Sequence, residues 1–298
     1  MRQRGFTIVE LIVVITLLSI ISLVTVGFIT STMQGYADLK RRDQLSSAAR
    51  VAVERMAREV RNALPNSIRV PADGSCLEFI PAIAASRYVS VPISATSTGF
   101  PSVPFAVAPD QGRIAVYPID TNRADEVSPG GDDIGRSATI NPIYDLDSWS
   151  IISPAIISAP NDLVAASGAV NVVLSSSHRF PTDSPSQRYF IVDEPVSFCV
   201  VGTDLYRFQG EGGAYTYATT QPTGAALDSA LDEPEQALLA SDIESPSGSQ
   251  SFRYSEASLQ RNGIVLFDLL VEDQVLTSAD PTQENIRVQF EVQVRNVP

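Results

Sequence analysis

The chain has 298 residues, of which 44% are hydrophobic and 18% charged, a composition typical of folded proteins rather than disordered ones. Its formal net charge is -13 and its isoelectric point is about 4.5. The globular part therefore lacks the basic surface that binds phosphate groups, and we expect no nucleic acid partner. Two cysteines are too few for a disulfide-rich scaffold or a four-thiolate zinc site.

A long apolar segment comes directly after a short basic N-terminus. Arg2 and Arg4 precede it, and none of the 27 residues from Leu11 to Ala37 is charged. About 20 apolar residues suffice to cross a bilayer as a helix, so residues 8–37 are predicted to form a transmembrane helix. The positive-inside rule keeps the N-terminus in the cytoplasm and exports the rest of the chain, although the basic cluster at 40–42 weakens this bias.

Glu10 distinguishes this segment from a plain signal anchor. A carboxylate on a lipid-facing helix costs about 2.5 kcal/mol or more at the bilayer centre, and it therefore indicates a function. A cleaved secretory signal is the other alternative, because Ser19–Ser22 offers small residues for a signal peptidase. The apolar run continues well beyond that point, which argues against such a cut.

The string RGFTIVELIVVITLLSII, at residues 4–21, resembles the class 3 signal of type IV prepilins and type II secretion pseudopilins. The resemblance implies that residues 1–5 are a cytoplasmic leader and that a prepilin peptidase/methyltransferase cuts between Gly5 and Phe6. Phe6 then becomes the N-methylated first residue, and Glu10 takes part in subunit assembly. The implied partners are the inner membrane and other minor and major pilins, which pack through the N-terminal helix.

The helix is predicted to continue past the membrane as an amphipathic segment and to end at Leu64, before Pro65. One stripe of its surface is apolar at spacings of three and four residues: Leu45, Ala49, Ala52, Met56, Val60 and Leu64. Residues 6–64 are thus expected to form one spine helix, with a transmembrane half and a half that packs on the globular domain.

Residues 65–298 are expected to form a periplasmic β-rich domain, because short apolar runs alternate there with Pro, Gly and Ser. Predicted strands are Cys76–Ile80, Arg113–Tyr117, Asn171–Leu174, Tyr189–Val192, Val196–Val201, Leu205–Gln209, Gly263–Glu272 and Asn285–Val294. We expect a meander through residues 189–209, a second pair at the C-terminus, and long loops at 84–112, 121–150 and 210–250. A helical spine on an antiparallel sheet is an α+β fold.

Three later stretches resemble the minor pseudopilins of the mannose-sensitive haemagglutinin (MSHA) pilus system: residues 55–70, 192–200 and 292–298. Similar stretches occur in J-type minor pseudopilins of type II secretion. We therefore expect a minor pilin of an MSHA-type pilus, with a secretion pseudopilin and a pilus-tip adhesin or DNA-uptake receptor as the alternatives.

Neither catalysis nor metal binding is indicated. Cys76 and Cys199 lie in apolar runs and are expected to form one disulfide bond in the periplasm, with two buried thiols as the alternative. His178, the single histidine, lies in a polar stretch and is expected to be a solvated loop residue. The acidic segments 120–126 and 130–133 lack the ligand spacing of an EF-hand, so we expect no enzyme activity, cofactor or metal.

Overall fold

The computed structural model describes residues 7–105, 111–119, 142–146, 150–156, 168–210, 216–232, 234–244, 250–256, 261–272 and 285–294. Within these ranges the chain has one long α-helix, one short α-helix, one 3-10 helix (Pro142–Tyr144) and fourteen strands, and all strand pairs are antiparallel. The predicted α+β class is confirmed. Two compact units divide the chain, Met1–Ala48 and Ala49–Pro298.

The α-helices are α1 (Ile8–Val60) and α2 (Gly224–Ala230). The strands are β1 (Cys76–Phe79), β2 (Ala82–Arg87), β3 (Ser97–Ser102), β4 (Arg113–Val116), β5 (Ile152–Ala155), β6 (Val170–His178), β7 (Arg188–Val192), β8 (Val196–Val201), β9 (Asp204–Gln209), β10 (Gln236–Ala240), β11 (Ile243–Glu244), β12 (Phe252–Ser255), β13 (Gly263–Glu272) and β14 (Asn285–Val294).

Helix α1 ends at Val60, one turn before the predicted end at Leu64. The backbone after Val60 pairs with the segment after β1, since Leu64 N donates to Ile80 O at 2.7 Å and Ala82 N donates to Asn62 O at 2.8 Å. These bonds replace the next helical turn. Described members of the predicted apolar stripe are buried as expected: Ala49, Ala52, Met56, Val60 and Leu64.

Six strands close into an antiparallel ring in the order β2-β7-β4-β5-β6-β3. Four neighbouring pairs form ladders: β2 with β7, β7 with β4, β4 with β5, and β3 with β6. Single bridges complete the ring, Ile156 with Leu174 between β5 and β6, and Tyr88 with Ser102 between β2 and β3. An even number of strands allows such closure with every neighbour antiparallel, and we call this unit the ring.

Aromatic and branched side chains fill the interior of the ring. Phe100 packs edge-to-face on Phe180 and Tyr189, with ring centroids 6.1 and 5.5 Å apart. The Tyr189 hydroxyl lies 2.6 Å from Ser102 Oγ, and burial raises the pKa of Tyr189 to about 12. A ring of this size is a packed core rather than a pore.

The ring is an insertion in a second sheet, ordered β1-β8-β9-β10. Strands β1 and β8 pair with each other, although the entire ring lies between them in sequence. The predicted meander is therefore only partly correct: β8 and β9 form its hairpin, whereas β7 pairs with β2 and β4 in the ring.

The third sheet is C-terminal. Strand β13 pairs with β11 and β12 on one side and over its full length with β14 on the other, which confirms the predicted C-terminal pair. Two predicted loops also contain regular structure: β3 and the last four residues of β2 fall within 84–112, and α2 with β10 and β11 within 210–250. Their short strands are poor in branched apolar residues, so the sequence pattern does not reveal them.

Candidate functional site

The first turn of α1 is capped by its own side chains. Thr7 N and Thr7 Oγ1 donate to Glu10 Oε2 at 3.1 and 3.0 Å, and Glu10 N donates to Thr7 Oγ1 at 3.3 Å. This reciprocal pattern is a capping box, in which a threonine and a glutamate three residues later satisfy amides that the helix leaves unpaired. Within one subunit, the Glu10 carboxylate therefore already has hydrogen-bond donors.

Beyond Glu10, α1 presents an apolar surface that is exposed in the described part of the chain. Its most hydrophobic window of 18 residues has a mean hydropathy of 2.8, and none of that window is buried. By length and composition this helix is able to cross a membrane. The predicted cleavage site, Gly5 and Phe6, lies outside the described residues.

An ion pair joins the second part of α1 to β9. Glu59 accepts a hydrogen bond from Arg207 Nε at 2.8 Å and contacts Arg55 Nε at 3.4 Å. Arg207 also lines a cleft of about 480 Å³, together with Arg113 and Glu194, whose charged groups lie 3.6 Å apart. These cleft charges are paired with each other or with Glu59, so the cleft does not by itself indicate a ligand.

Cys76 and Cys199 are joined by a disulfide bond across 123 residues of sequence. They are directly opposed in the β1–β8 ladder, and their Cα atoms lie 4.1 Å apart. The bond therefore links the two strands that flank the ring in sequence, at the end of their ladder away from the insertion. The first residue of α2, Gly224, lies directly against it, and Phe208, Leu227 and Leu231 pack around the same buried cluster.

His178 is buried, so its prediction as a solvated loop residue is wrong. It is the last residue of β6, its Nε2 donates to Ser150 O at 3.0 Å, and its ring packs on Phe180 with centroids 4.7 Å apart. Nδ1 has no partner among the described residues. Burial lowers the pKa of His178, and its environment is that of a core residue.

Two buried carboxylates were not identified from the sequence. Glu78 contacts Arg69 Nε at 2.6 Å, and Asp268 accepts two bonds from Arg287 at 2.7 and 2.6 Å. Both ion pairs lie within or beside sheets. Acid and base are 9 residues apart in the Arg69–Glu78 pair and 19 residues apart in the Arg287–Asp268 pair. The alternation of side chains along β13 does give one sequence signal for Asp268, because it places this residue on the outward face of the strand.

Metal binding receives no support from the described part of the chain, where no group of three or more His, Cys, Asp or Glu side chains has a metal-binding arrangement. The acidic segments 120–126 and 130–133 lie outside the described residues.

The N-terminus of the chain matches a known family model. Residues 1–26 match the family model described as "Prokaryotic N-terminal methylation motif", which includes Gly5, Phe6 and Glu10. No curated protein and no solved structure gave a significant match. The motif is the type of leader that prepilin peptidase processes, and together with the exposed apolar helix it supports a membrane-anchored, type IV pilin-like protein.

Proposed function

We propose that this chain is a minor pilin or pseudopilin that takes part in assembly of a type IV pilus, in its initiation or tip complex. The observation that carries the proposal is the methylation motif at residues 1–26, continued without interruption by an exposed apolar helix. The finer assignment, to an MSHA-type pilus and its O component, rests on the resemblance of residues 55–70, 192–200 and 292–298.

In this proposal the prepilin peptidase removes residues 1–5 and methylates Phe6. The chain stays in the inner membrane as a single-pass protein, with its N-terminus cytoplasmic and residues 65–298 in the periplasm. An oxidising compartment suits the Cys76–Cys199 bond. We assign the chain no enzymatic role, cofactor or nucleic acid partner.

Assembly depends on burying the apolar surface of α1 against the helices of other pilin-like subunits. Burial removes Glu10 from water, and a buried carboxylate needs an opposite charge. The N-terminal ammonium of a neighbouring subunit supplies that charge, while Thr7 continues to donate to the same oxygen. Glu10 is thus the assembly residue of the proposed function.

The ring favours a minor rather than a major subunit. It inserts a complete six-stranded unit between two paired strands of the second sheet. Bulky subunits are difficult to repeat along a filament, whereas an initiating or tip position accommodates one copy. A type II secretion pseudopilin and a tip adhesin are the two alternatives, and gene neighbourhood and glycan binding distinguish them from a pilus-assembly subunit.

The decisive experiment is mass spectrometry of the mature protein from membranes of its native host. We expect the mature chain to begin at Phe6 and to carry one methyl group on the amine. A mature chain that begins elsewhere, or a freely soluble protein with its apolar segment removed, contradicts the proposal. Gene neighbourhood then separates an MSHA pilus from type II secretion, and glycan-array binding would favour the adhesin.

A further inference from the structure

Two arginines of the ring lie directly opposite each other. Arg87 of β2 and Arg188 of β7 are register partners, so their side chains leave the same face of the sheet. Arg87 is exposed and Arg188 is half-buried. Neither guanidinium has an ion-pair or hydrogen-bond partner in the described part of the chain. Like charges directly opposite destabilise a strand pair, so this arrangement costs the free subunit stability.

An aliphatic surface adjoins the two arginines. Val103 lies beside Arg87 on the β3 side, because Val103 N donates to Arg87 O at 2.8 Å. Val89 continues β2 past the bridge to β3, and Val173 lies on β6, next to β3. We call the outward face of β7, β2, β3 and β6 the arginine wall.

Exposed aliphatic side chains are concentrated on this wall. Beyond α1, seven large hydrophobic residues among those described are exposed: Ile83, Val89, Ile93, Val103, Leu146, Val173 and Leu238. Four of them belong to the arginine wall, with exposed fractions of 47% (Ile83), 57% (Val89), 47% (Val103) and 38% (Val173). Clustered exposed apolar side chains with a polar border are typical of interaction sites.

The charge of the wall is opposite to that of the domain around it. Residues 63–298 contain 12 arginines and 29 Asp and Glu residues, a formal charge of -17. Yet none of the four strands that form the wall contains an acidic residue. The wall is therefore complementary to an acidic, partly apolar surface.

We propose that the arginine wall binds the globular domain of a neighbouring pilin-like subunit, whose carboxylates pair with Arg87 and Arg188 and whose aliphatic side chains cover Val89 and Val103. This inference rests on the proposed function. A carboxylate between the two guanidinium groups relieves their repulsion and forms charge-assisted hydrogen bonds. Arginine is enriched among residues that dominate binding energy at such interfaces. The exposed side chains here are aliphatic rather than aromatic, which favours protein over sugar.

The test uses the full-length chain, tagged at its C-terminus and co-produced with the pilin-like subunits encoded beside its gene, then captured in detergent. The variants are Arg87→Glu and Arg188→Glu, and the matched control is Arg261→Glu, an exposed arginine at the third sheet. We expect each wall variant to weaken capture about tenfold and the control to leave it unchanged. Unchanged capture by both wall variants overturns the inference.

A stability measurement excludes misfolding as the cause. Arg87→Glu creates an opposite-charge pair with Arg188, so the melting temperature of the free chain should stay the same or rise while capture falls. If a wall variant is less stable than the parent, Val89→Asp provides the same test at an exposed position. Wall variants that lose self-association or glycan binding while they retain subunit capture would also overturn the assigned partner.

The mature N-terminus distinguishes the two levels of failure. A chain that begins at methylated Phe6 but whose capture is insensitive to the wall variants retains the proposed function and loses only this inference. A chain with a different N-terminus loses both.

Discussion

Thr7 and Glu10 cap α1 reciprocally: the threonine amide and hydroxyl both donate to one carboxylate oxygen, and the glutamate amide donates back to the hydroxyl. Glu10 therefore has two separable properties, a hydrogen-bonding cap within the subunit and a negative charge available to a neighbour. Glutamine retains the cap and removes the charge, since a capping box accepts either residue. Alanine removes both.

We predict that Glu10→Gln and Glu10→Ala impair recruitment of the chain into the initiating complex to a similar extent, while leader cleavage continues. The reason is that the charge, rather than the cap, pairs with a neighbouring ammonium. Co-purification with partner pilins measures recruitment, and the mass of the mature chain measures cleavage. Thr7→Ser, which retains the hydroxyl, is the control and should behave as wild type. Normal recruitment of Glu10→Gln would reduce Glu10 to a helix cap.

The second prediction concerns the disulfide bond. Joining Cys76 to Cys199 restricts a loop of 123 residues in the unfolded chain. The chain-entropy model gives about 5 kcal/mol for loops of this length, and measured effects are usually smaller. We expect the Cys76→Ala/Cys199→Ala double variant to unfold at a lower denaturant concentration than wild type. Its free energy of unfolding should be lower by about 2–4 kcal/mol. Reduced wild-type protein should match the variant, and an unchanged midpoint in reductant would contradict the prediction.

The third prediction tests how α2 packs on that bond. A Cβ added to Gly224 would lie 2.9 Å from Cys199 Cβ and 2.9 Å from Val201 Cγ2. We expect Gly224→Ala to destabilise the domain by about 1–3 kcal/mol, although alanine is the better helix former. Ala225→Gly, on the exposed side of the same turn, measures helix propensity alone and should cost about 1 kcal/mol or less. A stabilised Gly224→Ala variant would mean that α2 is free to move off the sheet.

The N-terminal helix and the C-terminal strand pair were predictable because each has a local, periodic signal. Residues 11–37 lack charge, and β14 alternates apolar and polar side chains over its full length. Strands β2 and β3 gave no such signal. Their sequences, AIAASR and STGFPS, consist mainly of small and polar residues, with Gly99 and Pro101 inside β3.

The position of His178 depends on long-range contacts. Serines precede it in β6, and they alone suggest a solvated loop. Burial comes from Phe180 and from Ser150, 28 residues away, once the ring has closed. Pairing of β1 with β8 around the ring is similarly non-local. Local sequence patterns carry no information about such contacts, which explains why the site of insertion was missed.

The fourth prediction concerns Arg69, which joins three segments. Its Nε contacts Glu78 at 2.6 Å, Nη1 and Nη2 donate to Thr219 O and Ala218 O at 3.1 and 2.8 Å, and its guanidinium stacks 3.6 Å above Tyr144. Lysine cannot reproduce this planar set of contacts. We expect Arg69→Lys to destabilise the domain by about 2 kcal/mol, because Glu78 is buried.

Arg87→Lys is the matched control for Arg69→Lys, because the Arg87 guanidinium has no partner among the described residues. Its thermal midpoint should equal that of the wild type. Equal midpoints for both lysine variants would show that the charge of Arg69 is sufficient and that its fork geometry adds no stability.

The last prediction is a loss of stability in mild acid through His178. Burial lowers the pKa of its imidazole in the folded protein, whereas an unfolded histidine titrates near 6.5. The folded state therefore binds fewer protons, and stability is fully present above about pH 6.5 and falls as the pH drops below it. The protonated ring would also need an acceptor for Nδ1, and the described residues supply none. We expect the free energy of unfolding to fall between pH 7.5 and 5.5, with a slope of at most about 1.4 kcal/mol per pH unit from this residue. Denaturant unfolding at several pH values measures this loss.

His178→Leu removes the titrating group while filling the site, so its unfolding free energy should change less across the same interval. Equal pH dependence of the two proteins would mean that acidic side chains, rather than His178, control the response.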